Sequence, residues 1–233
     1  MRTWGMDGTF KVVPQWYQQL FTIHAFVASK LVPAVHCLCT GKDIGTYRQS
    51  GSLRINLNPQ TIICDFETAL IPAIQGYFPN KRVKGCYFQL CQAVHRKVGE
   101  LGLKTRYRTE EGTRRKIRMF LATAFLPVPQ VDTDVRLLEA GTTGSLSALF
   151  QYFWWKWMTD ERLSLRNVHH GVMDSLIQQV LSGNATVGDL RRVNKVYAEK
   201  QQRVAQYTGE YTNGSRTLEQ FLEALMYITP EPI

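Results

Sequence analysis

Nowhere in the 233 residues does an apolar run approach the roughly 20 residues that a membrane-spanning helix requires. The amino terminus also lacks a basic stretch followed by an apolar segment of the kind that directs secretion. A soluble, intracellular protein with no membrane partner is expected. Cysteine is sparse. The five thiols, at 37, 39, 64, 86 and 91, are odd in number and scattered through apolar segments, which excludes a dense secreted disulfide scaffold and fits a reducing, cytosolic or nuclear compartment. Internal repeats and low-complexity tracts are absent. Acidic residues are also in deficit, with 19 Asp and Glu against 28 Lys and Arg, a formal charge of +9. That balance suits a polyanionic partner, nucleic acid first and an acidic membrane surface second, although a solvated cationic surface has the same composition. An apolar content of 44% gives one sizeable core, or a core with an inserted helical lobe.

Three β-branched and aromatic runs come first: "MDGTFKVVP" (6–14), "LFTIHAFVA" (20–28) and "LVPAVHCLCT" (31–40). A polar stretch with a linker helix leads to a fourth strand, "TIICD" (61–65). In "FETALIPAIQGYF" (66–78), Phe66, Leu70, Ile74, Tyr77 and Phe78 fall at helical spacing, and Pro72 lies where a first helical turn tolerates it. "RVKGCYF" (82–88) reads as a fifth strand, followed by a helix in which Leu90, Val94, Val98 and Leu101 share a face. The order implies an antiparallel meander continued by β-α-β crossovers, hence an α/β fold with a mixed five-stranded sheet and flanking helices. From about residue 104 only helices are expected. The last of these, in "SRTLEQFLEALMYI", has Ser215 as a candidate N-cap.

Two aspartates stand out. Asp65 ends a buried-looking strand just before a helix, and Asp7 lies on the first strand, so the two converge if strands one and four are neighbours. Carboxylates brought together repel unless a cation lies between them, and Mg²⁺ or Mn²⁺ with oxygen ligands is the usual solution. Simpler roles are open: Asp65 as the N-cap of the next helix, and Asp7 as a turn residue before Gly8.

Four motifs, "MDGTFKVVPQWYQQLFTIHAF", "LVPAVHCLCTGKDIGTYRQ", "LNPQTIICDFETALIPAIQGYFPN" and "VKGCYFQLCQAVHRKVGELGLKTRYR", together resemble the transposase domain of Mutator-like elements, the MULE family of cut-and-paste DNA transposases. The resemblance covers roughly residues 5 to 125 well and the helical remainder loosely. It implies an RNase H-like domain over 5–180 with a helical insertion at about 105–160, and a helical extension over 181–233. It also implies DNA strand cleavage and joining by metal-assisted phosphoryl transfer, with Asp7 and Asp65 as the first two metal-binding acids, within about 4 to 6 Å of each other. DNA would be the partner, with self-association on paired DNA ends, and the compartment would be the nucleus in a eukaryote.

The chain departs from the family pattern at several points. The third acid, a glutamate, should precede Gly171, but His170 stands there; Asp174 lies one helical turn further on, displaced by about 6 Å of rise. Loss of that acid leaves a catalytically silent DNA-binding module, or a transposon remnant, as one alternative and a protein-interaction scaffold as another. Gln89 replaces a family histidine beside Cys86, which disfavours zinc there, while Cys91 and His95 form an i, i+4 pair that packs as readily as it ligates. "QSGSL" shortens the helix expected between Tyr47 and Asp65. The basic run Arg114, Arg115, Lys116 and Arg118 suits phosphate contacts or a solvated helix face. Trp154, Trp155 and Trp157 suit either base stacking or an aromatic anchor. His169 and His170 point about 100° apart on a helix, so they do not share one ion easily.

Overall fold

A computed structural model describes residues 3–9, 12–27, 30–51, 58–159 and 187–229. These residues form two compact units, one within Met1–Cys86 and the other within Tyr87–Leu176 and Ala185–Ile233. Described parts of both the expected insertion and the expected extension fall in the second.

The first unit is α/β. Its strands are β1 (Thr3–Thr9), β2 (Gln19–Val27), β3 (Lys30–Cys39), β4 (Thr61–Cys64) and β5 (Arg82–Gly85), in the spatial order β3-β2-β1-β4-β5. β1, β2 and β3 are antiparallel; β1, β4 and β5 are parallel. Side chains alternate across the pleat, which sorts the sheet into two unlike faces. Trp4, Met6, Phe21, Ile23, Ile62 and Cys64 are buried on one. Helices α1 (Ile44–Gly51) and α2 (Leu70–Tyr77) serve that apolar face, and Tyr47 of α1 meets Phe21 at 5.1 Å between ring centroids. Met6 and Ile23 line one narrow cavity with Leu70, Ala73 and Ile74 of α2. The opposite face carries Asp7, Thr22 and His24, all buried as well.

The strand expected over 6–14 runs instead from Thr3 to Thr9. Val12 is exposed, and Pro14 and Tyr17 close a turn through a 2.9 Å backbone hydrogen bond, so the apolar letters "VVP" belong to the β1–β2 connection. The fifth strand stops at Gly85, three residues early, because Tyr87, Phe88, Leu90 and Cys91 bury a helix face from Tyr87 onward. Pro33 fits β3 since β3 is an edge strand, and the register skips beside it, pairing Ile23 with Val35 but His24 with Pro33. α1 gains its start from Asp43, whose carboxylate accepts from Thr46 N at 2.8 Å.

The second unit is helical among its described residues: α3 (Tyr87–Glu100), α4 (Lys104–Thr109), α5 (Glu111–Ala122), α6 (Val131–Glu139), α7 (Gly144–Phe153), α8 (Val187–Thr212) and α9 (Leu218–Met226). α7 continues into a π-helical turn, Trp154–Met158. Phe120 of α5 sits edge-on to Phe150 and Phe153 at 5.0 and 4.2 Å, and Phe221, Leu222 and Leu225 are sealed from solvent in α9. The N-cap of α9 is Thr217, not Ser215. Thr217 and Gln220 exchange the two hydrogen bonds of a capping box, whereas the Ser215 hydroxyl lies within hydrogen-bonding distance of Glu210 O and Asn213 Oδ1.

A methyl group at Gly85 would fall within the Phe66 ring, so any larger residue there forces the ring to move. Gly85→Ala is expected to cost about 1–3 kcal/mol by overpacking. The urea midpoint should drop at unchanged m, with part of the loss recovered when Phe66→Leu is added.

Candidate active site

Asp7 lies on β1, and Asp65 is the first residue after β4, the parallel neighbour of β1. β1 and β4 run in register from Thr3 with Thr61 to Met6 with Cys64, and the next residue on each chain is the aspartate. Neighbouring strands lie about 4.8 Å apart. Asp7 is buried in mid-strand, paired in register with Thr22 of β2, so it is not a turn residue. Asp65 does not cap α2, whose N-cap position is Ala69 and whose first residue is Leu70. Both simpler roles are thus set aside by position. Asp65 stands just past the carboxyl end of β4, and Asp7 lies on β1, the central strand of the sheet.

A third carboxylate sits in the same loop. Glu67 accepts from the Tyr47 hydroxyl at 2.5 Å, lies 4.0 Å from the Lys42 ammonium, and Tyr47 in turn accepts from Gln19 Nε2 at 2.9 Å. Burial, offset by the Gln19 hydrogen bond and aided by Glu67, holds the Tyr47 phenol well above its ordinary range, so it remains a donor. Glu67 therefore ties the Asp65 loop to α1. Sequence pattern alone does not single out Glu67, although "CDFET" shows both acids two residues apart. Burial, with the nearby charges of Asp65 and Glu67, also pushes the Cys64 thiol far up, leaving it neutral beneath the acids.

Two oxygen-donor carboxylates suit a hard divalent cation such as Mg²⁺ or Mn²⁺, which keeps waters and substrate oxygens in its remaining positions. Among the described residues no group of three or more His, Cys, Asp or Glu is gathered to hold a metal. None of the five cysteines is in a disulfide, and burial pushes Cys91 up to about 12. His95, four residues on, packs edge-on to the Tyr107 ring at 5.6 Å. The positions of His169, His170 and Asp174 lie outside the described residues.

The basic run of α5 has internal partners. Arg115 pairs with Glu219 at 2.8 Å and with Glu223; Arg114 with Glu111; Lys116 donates to Leu138 O at 2.7 Å; Arg118 donates to the Tyr107 hydroxyl at 3.2 Å. The run joins α5 to α6 and α9. Of the three tryptophans, Trp157 is buried and stacked on Phe153, Trp154 donates to Glu139 at 2.8 Å beneath the Arg136 guanidinium, and Trp155 is 74% exposed. No described helix is long and apolar enough to cross a membrane. No family model matches the chain, and no curated protein matches it either.

His24, buried two residues along β2 from Thr22, is pushed down to about 4, first by burial and then by the charge of His36. The unfolded chain takes up this proton near pH 6.5, the folded one only near 4. The stability contributed by keeping His24 neutral is therefore fully present above about pH 6.5 and is lost as pH falls toward 4, because the unfolded state binds more protons there. Urea unfolding at stepped pH is expected to show that decline, and His24→Gln should flatten it over this window.

Proposed function

We propose that the chain is an RNase H-like transposase domain of the Mutator-like type, acting on DNA by metal-assisted phosphoryl transfer, with Asp7 and Asp65 as its metal ligands. The observation that supports this reading is the parallel β1–β4 register, whose last pair, Met6 with Cys64, immediately precedes the two motif aspartates. Mg²⁺ or Mn²⁺ held there would polarise a phosphodiester and stabilise the charge that builds on its oxygens. The chain's own contribution is to present one carboxylate on β1 and one on the loop that follows its parallel neighbour β4. Glu67, held by Tyr47 and Lys42, fixes the loop that presents Asp65. The net charge of +9 gives the molecule the long-range attraction that a polyanionic substrate requires.

His170, in place of the family's third acid, favours a second reading: a DNA-binding module that keeps the site's platform without its chemistry. Mn²⁺ binding and Mn²⁺-dependent nicking of a labelled duplex separate the two. Asp7→Asn and Asp65→Asn are each expected to weaken Mn²⁺ binding by at least the roughly tenfold that even an outer-shell loss costs. Nicking by the unaltered chain that disappears in Asp65→Asn supports the enzyme. Nicking confined to His170→Glu makes the natural chain the silent module, and unchanged Mn²⁺ binding in both aspartate variants removes the metal site altogether.

A further inference from the structure

The registers of three strands place a single row of polar residues across the sheet. Asp7 of β1 pairs with Thr22 of β2, and Thr22 pairs with His36 of β3. Residues directly opposite in antiparallel strands have Cβ atoms about 4.5–5.5 Å apart on one face, within hydrogen-bonding reach for short polar side chains. The second link is formed, with Thr22 Oγ1 and His36 Nδ1 3.3 Å apart. Thr22 is buried like Asp7, whereas His36 is exposed, so the row runs from the middle of the sheet out to solvent at the edge strand. The other titratable group facing this row from β2 is His24.

A hydroxyl has one proton to give, and an ionised carboxylate can only accept. Whether Thr22 serves Asp7 therefore depends on which way its bond to His36 points. If His36 Nδ1 is bare, Thr22 spends its proton on the imidazole; if Nδ1 carries the hydrogen, Thr22 accepts from it and its own proton is released toward the acid. We propose that Thr22 and His36 are positioning residues for Asp7, with His36 Nδ1–H donating to Thr22 Oγ1 and the Thr22 hydroxyl donating to the Asp7 carboxylate. The chain fixes which oxygen of Asp7 faces Asp65. Its geometry rests on the strand registers and the Thr22–His36 contact, while its consequence for a divalent cation rests on the proposed function above. Partners of this outer kind orient metal-ligating carboxylates and set their affinity.

The test reads the two separately. Ring-nitrogen NMR of His36 in the metal-free protein reports the tautomer, which is set by the bond that the other nitrogen makes. The Nδ1–H form is expected in the wild type, retained in Thr22→Ser and lost in Thr22→Val. A wild-type ring protonated at Nε2 with Nδ1 accepting, or a tautomer unmoved by Thr22→Val, overturns the proposal whatever the metal does. In Mn²⁺ titrations, Thr22→Val and His36→Ala should each weaken binding about tenfold, with Thr22→Ser restoring it. Wild-type affinity in Thr22→Val alongside loss in Asp7→Asn would sink the positioning role alone. Failure of Asp7→Asn to alter Mn²⁺ binding would sink the metal reading and leave the tautomer result to decide the chain.

Discussion

The pairing of β1 with β4 is the contact on which the first unit depends. β1 closes the antiparallel meander on one side and accepts the parallel half of the sheet on the other, so it alone bonds to both. The registers of the flanking strands follow from it. Because side-chain direction alternates, a slip of one residue between β1 and β4 would turn Met6 and Trp4 away from α1 and α2 and set Asp7 against the apolar core. Burial of Met6, Ile62 and Cys64 on one face therefore holds the register and keeps Asp7 on the other.

Much of this was legible in the sequence. The five strands, their order along the chain and the helices between them follow from runs of β-branched and aromatic residues and from the i, i+4 spacing in "LIPAIQGY". Boundaries were less so, because "FKVVP" looks like strand by composition, and only the turn at Pro14–Tyr17 shows that Val12 faces water. Ser215 and Thr217 are both good capping residues. The choice between them was made by Gln220, three residues after Thr217, a spacing visible in the sequence once the helix start is known. The neighbouring of strands one and four could be posed from the two aspartates only as a condition, since spatial order is a property of crossovers and not of local pattern.

The helical unit teaches a different lesson. A run of four cations within five residues carries no mark of what it faces, and the answer came from Glu219 and Glu223, more than a hundred positions away, and from the bare carbonyls at the end of α6. Lys116 on Leu138 O and Ala140 O meets the unsatisfied carboxyl end of that helix, where a cation also suits the helix dipole. The aromatic cluster was closer to its expected role as an anchor, with Trp157 stacked inside and Trp154 pinned by Glu139 and Arg136.

The span of the central pairing has a consequence in time. Met6 meets Cys64, 58 positions further along the chain, with β2, β3 and α1 between. Closing a loop of that length is slow compared with forming the meander, whose partners are local. During synthesis, β1 thus waits with one row of backbone N–H and C=O groups exposed until residues 61–64 emerge. The strand destined for the centre of the sheet begins life as its edge, and in that interval it can accept any other extended segment that reaches it first.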